Sequence, residues 1–264
     1  MEERYYYKVG VQYLGFRYSG WQKQPGQKTV ESMLSKTLKF ILPNTPFKLL
    51  GAGRTDAKVS SLNGAFTLIL KGSSIDNREI FIEQFNANLP ADIRIMSLQE
   101  SSPDFNIIKD VRIKEYTYLF SFGQKNHPFC APFMANILED LDIEGMIRAA
   151  KLFEGTHDFS NYTARLQENT RTLRTISSCA IRLNTLLSAS FFPERSYGLH
   201  IRGSGFMRYQ VRMMMGALIQ LGKGALQETD IATSLVPGNT VQMSYVAPGS
   251  GLTLSNLQFV SDTP

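Results

Sequence analysis

One sequence of periodicities occurs twice along this chain, and it leaves few folds open. Aromatic and β-branched residues dominate 5–13, which suits a strand. Val30, Met33, Leu34, Leu38 and Ile41 then recur at spacings of three and four, with Thr29 to cap the start and Pro43 to mark the stop. That is a helix with one core-facing stripe. Short strands are predicted at 47–50 and 65–70, paired as a hairpin, then a helix over 76–88 facing inward through Ile80, Phe81 and Phe85, and a strand over 93–98. The order is β-α-β-β-α-β, a split βαβ unit of ferredoxin-like type. The second half repeats it with longer insertions: strand 111–122, helix 143–153, strands 173–183 and 197–202, helix 206–221 and strand 252–260, with an extra short helix at 229–235. The expectation is an α+β protein of two ferredoxin-like (βαββαβ) halves with antiparallel sheets, residues 1–106 and 107–264, and an active-site cleft between them.

With 264 residues the chain has apolar content enough for real cores. A formal net charge of +5 favours a polyanionic partner, although so mild an excess is common among unrelated proteins. Cys130 and Cys179 form no C-x-x-C pair, so reduced, buried thiols are expected instead of a disulfide framework or zinc knuckle. No signal segment opens the chain and no apolar run reaches membrane-spanning length, which points to a cytoplasmic protein. Gly51-x-Gly53 lacks the third glycine of a dinucleotide fingerprint, and no Walker-type Gly-Lys-Ser/Thr occurs. Three widely spaced histidines suggest neither a zinc site nor a histidine triad.

The stretch Gly51-Ala52-Gly53-Arg54-Thr55-Asp56 packs two glycines, a cation and a carboxylate between apolar runs. Glycines let a backbone bend and let another molecule approach, and Asp56 is presented at a tip instead of being paired along a helix, so the stretch reads as an active-site loop. The segment from Phe206 to Ile219 is apolar on most faces, yet it carries Arg208 and Arg212. A buried guanidinium needs a carboxylate or phosphate, so either one of these cations meets an anion or both snorkel to the surface. In Lys114-Glu115-Tyr116-Thr117-Tyr118, alternation puts Tyr116 and Tyr118 on one strand face, where packing is the ordinary role.

These segments resemble, in order, the motifs of the TruA family of tRNA pseudouridine synthases. Ala52 to Val59 is similar to the block Ala-Gly-Arg-Thr-Asp-x-Gly-Val, with Lys58 in place of its second glycine and Ser60 where bacterial members usually have histidine. The run from Phe206 resembles Phe-x-x-x-x-Val-Arg-x-x-x-Gly-x-Leu, followed by Gly222-Lys223-Gly224. Lys114 to Tyr118 resembles the basic-x-Tyr-x-Tyr strand, and Gly251-Leu252-Thr253-Leu254 the Gly-Leu-x-Leu strand. Matches at Gly20-Trp21-Gln22, at Asn86 to Asp92 and at Gly155 to Ser160 extend the resemblance over nearly the whole chain. It implies that Asp56 is catalytic and that Arg212 pairs with it and keeps it ionised. It further implies that Tyr116 contacts the target base, that Leu252 lines the base pocket and that Arg171 lies where the family contacts tRNA. Arg54 is suited to fill the space that a flipped base leaves. One departure is clear: Phe105-Asn106-Ile107-Ile108-Lys109 stands where the family has Phe-His-Ala-Arg-Phe, so Ile108 replaces an RNA-contacting arginine. Lys109 and Lys58 are the candidate substitutes for that contact.

The implied activity is isomerisation of uridine to pseudouridine in tRNA, at tRNA positions 38 to 40 on the 3′ side of the anticodon arm. The resemblance also implies two like subunits, no cofactor and no nucleotide. A non-catalytic RNA-binding paralogue, an RNA-folding helper, or a synthase acting on another RNA stay open as alternatives.

Overall fold

A computed structural model describes residues 3–164, 166, 170–239, 241 and 243–260. The chain divides into two compact units: the first runs to Arg112 and takes the chain back from Leu254, the second runs from Ile113 to Thr253.

The first unit begins with β1 (Arg4–Tyr13), in which Tyr7, Val9, Val11 and Tyr13 alternate inward. Helix α1 (Val30–Ile41) follows, and its start is fixed by a reciprocal cap: Thr29 Oγ1 accepts from Ser32 N–H while Ser32 Oγ accepts from Thr29 N–H. Val30, Leu34 and Leu38 form the buried stripe that the spacing predicts. Next come β2 (Phe47–Gly51) and β3 (Ser60–Lys71), an antiparallel hairpin in which Gly51 lies opposite Phe66. Helix α2 (Arg78–Asn88) is capped by Asn77, and β4 (Ile93–Glu100) completes the set. Strand β1 pairs antiparallel with both β3 and β4, giving the order β4-β1-β3-β2. Strands β1 and β2 are therefore parallel and separated by β3. Strand β10 (Leu252–Phe259), last in the chain, also lies beside β3. Inward residues of β1, β3 and β4 meet α1 and α2 in one core, where each fully buried Leu or Phe contributes about 1.5–3 kcal/mol. Ile80 is the exception to the expected helix stripe. It is exposed, because Phe81 and Phe85 stack edge to face at 5.7 Å and turn their own side of α2 to the core.

The second unit holds β5 (Val111–Phe122, from Ile113), β6 (Ala135–Ile137), α3 (Ile143–Ala150), β7 (Gly155–Asp158), β8 (Leu173–Leu183), β9 (Tyr197–Gly203), α4 (Gln210–Gly222) and α5 (Glu228–Ser234). Its sheet runs β5-β9-β8-β7, antiparallel throughout, with β6 parallel to β5. Helix α3 packs on β8 and α4. The short strands β6 and β7 have no counterpart among the strands that the sequence predicts. Helix α4 begins four residues later than the periodicity suggests, at Gln210, after a turn that ends on Tyr209 in the left-handed region (φ 66). Cys130 and Cys179 are free and buried, as expected. No described helix is long and apolar enough to cross a membrane.

Candidate active site

The Asp56 loop is pinned from three sides by the first unit. Trp21 N–H donates to the Thr55 carbonyl at 3.1 Å, the Thr55 and Tyr13 hydroxyls share a hydrogen bond of 2.8 Å, and Lys58 N–H donates to the Tyr18 carbonyl at 3.0 Å. Val59 N–H then closes the turn on the Asp56 carbonyl at 3.2 Å. Thr55 is buried, Asp56 is half-buried, and Arg54 and Lys58 are exposed, so the loop leaves two cations at the surface beside a partly covered carboxylate. Ser60 is buried and accepts from Gly15 N–H at 3.0 Å, a structural role.

The loop glycines do not bend it. Neither Gly51 nor Gly53 takes a positive φ; a side chain on Gly51 would instead run into the indole of Trp21. The left-handed position belongs to Lys58 (φ 66), third residue of the turn from Asp56 to Val59. This is where the resembling motif has its second glycine, the residue at ease in that region, and an L side chain there carries a strain of about 1–2 kcal/mol. The Lys58 ammonium lies 5.6 Å above the Phe16 ring.

The second unit gathers Tyr116, Tyr118 and Arg212. Tyr116, half-buried on β5, meets Phe206 edge to face at 5.3 Å. Tyr118, on the same strand face, is fully buried and donates its hydroxyl to the Pro248 carbonyl at 2.8 Å. Burial drives its phenol well above the usual tyrosine range, with the Arg212 charge pulling the other way, so it keeps its proton. Gly251 leaves the room that the Tyr118 ring occupies, since a Cβ there would come within 2.8 Å of it. Leu252, next in the chain, is buried. Arg212 is half-buried near the start of α4, where its Nε donates to the Ala247 carbonyl at 2.7 Å and its guanidinium lies 4.8 Å over the Tyr209 ring. Arg208 is exposed and reaches the same ring at 5.1 Å. Arg208 precedes α4, and of the two cations read as helical in the sequence only Arg212 lies on the helix and is half-buried. Sequence reasoning missed Phe206, Tyr209 and the Ala247 carbonyl as parts of this grip.

Of the other residues named from sequence, Arg171 and Lys109 are exposed. Asn106 shapes its segment by accepting from the N–H groups of Ile108 and Lys109 at 3.1 Å, which leaves Ile108 exposed at the expected arginine position. Among the described residues no three His, Cys, Asp or Glu side chains gather as a metal site would require.

Residues 149–259 match a family model described as tRNA pseudouridine synthase. Over 251 residues the chain is 30% identical to tRNA pseudouridine synthase A of Acinetobacter baumannii (strain AYE), covering 93% of this chain and 89% of that protein. Its likeness to the tRNA pseudouridine synthase A of Thermodesulfovibrio yellowstonii is 30% over 257 residues, 95% of this chain and 98% of the relative. For that of Shouchella clausii it is 29% over 259 residues, with 96% and 95% covered. The chain belongs to the tRNA pseudouridine synthase A family. It is an isomerase that converts uridine in tRNA to pseudouridine. In that reaction the N1–C1′ bond breaks, the uracil turns, C5 joins C1′, and the proton lost from C5 is balanced by one gained at N1.

Proposed function

We propose that this synthase acts on uridines at tRNA positions 38 to 40, on the 3′ side of the anticodon arm, with Asp56 as the residue that carries the chemistry. The observation that supports it most is the loop itself: a carboxylate presented half-buried on a turn held by Trp21, Tyr13 and Tyr18. In this reading residues 1–106 supply the catalytic aspartate and 107–264 complete the site, as two ferredoxin-like halves with the active-site cleft between them. Arg212 pairs with Asp56 and keeps it ionised, and its bond to Ala247 sets the direction of the guanidinium. Tyr116 stacks on or bonds the target base and Leu252 lines the base pocket. Arg54 fills the stack that the flipped base vacates, at a flipping cost of roughly a few kcal/mol. Lys58, Lys109 and Arg171 bind phosphates, and two like subunits form the working enzyme in the cytoplasm.

The test is Asp56→Asn, assayed on anticodon stem-loop RNA. Turnover is expected to vanish while folding and tRNA affinity stay near wild type, because one atom changes in a surface loop. Appreciable pseudouridine formation by this variant refutes the assignment. Arg212→Ala is expected to lose turnover and, as an interior cation removed from a pair, about 3 kcal/mol of stability in a denaturant titration.

A further inference from the structure

Three cations of the second unit stand together at the end of the sheet that carries Tyr116. Lys114 on β5 lies opposite Gly203 on β9, and Gly203 lies opposite Ile176 on β8. Arg174 is two residues from Ile176 and Tyr116 two residues from Lys114, so all four positions share one sheet face. Gly203 brings no side chain of its own there. The Phe206 ring fills that place, 3.1 Å from where a Gly203 Cβ would stand, and continues to Tyr116. Arg174 Nη1 comes within 3.9 Å of where a Gly205 Cβ would be, so its guanidinium extends over the turn between β9 and α4.

The cations of this corner act on one another. Burial holds the Lys114 ammonium below the ordinary lysine range, and Arg174 depresses it further. Burial likewise lowers the Arg174 guanidinium, with Arg171 adding to the effect. Arg174 Nε is buried with no hydrogen-bond partner among the described residues. A guanidinium whose Nε is buried with no partner among the described residues carries a desolvation cost, and an anion accepting from its planar fork would relieve it.

We propose that Arg174 and Lys114 form an anion subsite that holds one backbone phosphate of the tRNA, that of a nucleotide flanking the uridine on Tyr116. Arg174 supplies the fork and Lys114 a point charge, while Arg171 adds field from the rim. These are positioning residues: they fix the strand beside the aromatic platform and take no part in bond making. The inference rests on the reading that the Tyr116 face receives the target nucleotide.

The test measures binding in the Asp56→Asn protein, so that it does not depend on turnover. Anticodon stem-loop RNAs, each with one neutral methylphosphonate linkage near the target uridine, are titrated against that protein with and without Arg174→Gln or Lys114→Gln. Each substitution is expected to weaken the unmodified RNA about tenfold and to lower the logarithmic salt slope by about one. One flanking methylphosphonate should weaken binding to the Arg174 protein and leave the Arg174→Gln protein unchanged, a coupling that a merely structural arginine does not produce. Arg174→Lys should recover part of the affinity and serves in place of Arg174→Gln should the latter fail to fold. Inorganic phosphate should compete at millimolar concentration only when Arg174 is present. Folded variants with unchanged affinity and slope, penalties that add at every linkage, or a coupled phosphate distant from the target uridine overturn the proposal. Absence of pseudouridine formation by the unmodified enzyme overturns the functional reading instead, and leaves the binding result standing.

Discussion

Lys58 shows how a single residue can serve geometry and charge in opposite directions. Its φ of 66 places an L side chain where glycine is at ease, one residue before the turn closes on Val59. Lys58→Gly is therefore expected to raise stability by roughly 1 kcal/mol, the relief of left-handed strain less the entropy that glycine loses on folding. The same change removes an exposed ammonium two residues from Asp56, so tRNA affinity should fall and its salt slope flatten by about one. Denaturant titration and binding titrations at several salt concentrations read the two effects separately, and Lys58→Asn, which also tolerates the left-handed region, is the control. Unchanged affinity and slope would make Lys58 a solvated surface residue. At this scale the sequence singles out Asp56 and Arg212 because each is chemically out of place in its segment, and Tyr116 only through the resemblance, since packing is the ordinary role of a strand tyrosine. The left-handed role of Lys58 was not legible from composition, since it is the tertiary bonds of its turn to Tyr18 and Asp56 that select the conformation.

The first turn of α4 is where an element departs from its sequence pattern, and the departure shapes the site. Apolar periodicity runs unbroken from Phe206 to Leu221, and no Ser, Thr, Asp or Asn marks a cap, so nothing local distinguishes turn from helix. The structure makes the distinction by placing Tyr209 left-handed and letting buried Gln210 accept the Met207 N–H through Oε1 at 2.8 Å. The Tyr209 ring then lies under Arg212. Tyr209→Gly and Tyr209→Ala should share a loss of turnover of about tenfold, the worth of a cation–π support of roughly 1 kcal/mol or more. They should differ in stability, with the glycine variant firmer by about 1 kcal/mol because only alanine keeps the strain. Tyr209→Phe should retain turnover. Equal kinetics for all three would show that the ring does not hold Arg212. Elsewhere the long elements were readable, as with α1 through its stripe and cap, and β5 and β8 to the residue. The three-residue β6 and the Gly-Thr-His-Asp strand β7 were not, because their propensities are weak and pairing with β5 and β8 creates them.

At the scale of the whole molecule, the decisive feature is that the first unit is not continuous in sequence. Strand β10 comes last in the chain yet lies beside β3, where Asn63 Nδ2 donates to the Ser255 carbonyl at 3.0 Å and Ser61 Oγ to that of Leu254 at 3.4 Å. Phe259 packs on Phe105 with ring centroids 5.7 Å apart, Lys8 sits 4.2 Å over the Phe259 ring, and Val260 N–H donates to the Asp110 carbonyl at 2.9 Å. The βαββαβ order expected of each half makes it natural to cut the chain between them, but a piece ending at Arg112 would lose these contacts and expose an edge of β3 for pairing with other chains. Removing the burial of Phe259 alone costs about 2–3 kcal/mol, or about 10–20 °C in Tm for a domain of this size. A fragment of residues 1–112 should therefore melt far below the same fragment joined through a Gly/Ser linker to residues 252–260, and should aggregate where the joined form stays monomeric. Circular dichroism melts and sedimentation of the two fragments decide it. Equal melting temperatures and monomeric behaviour in both would mean that the returning strand is dispensable to the unit that presents Asp56.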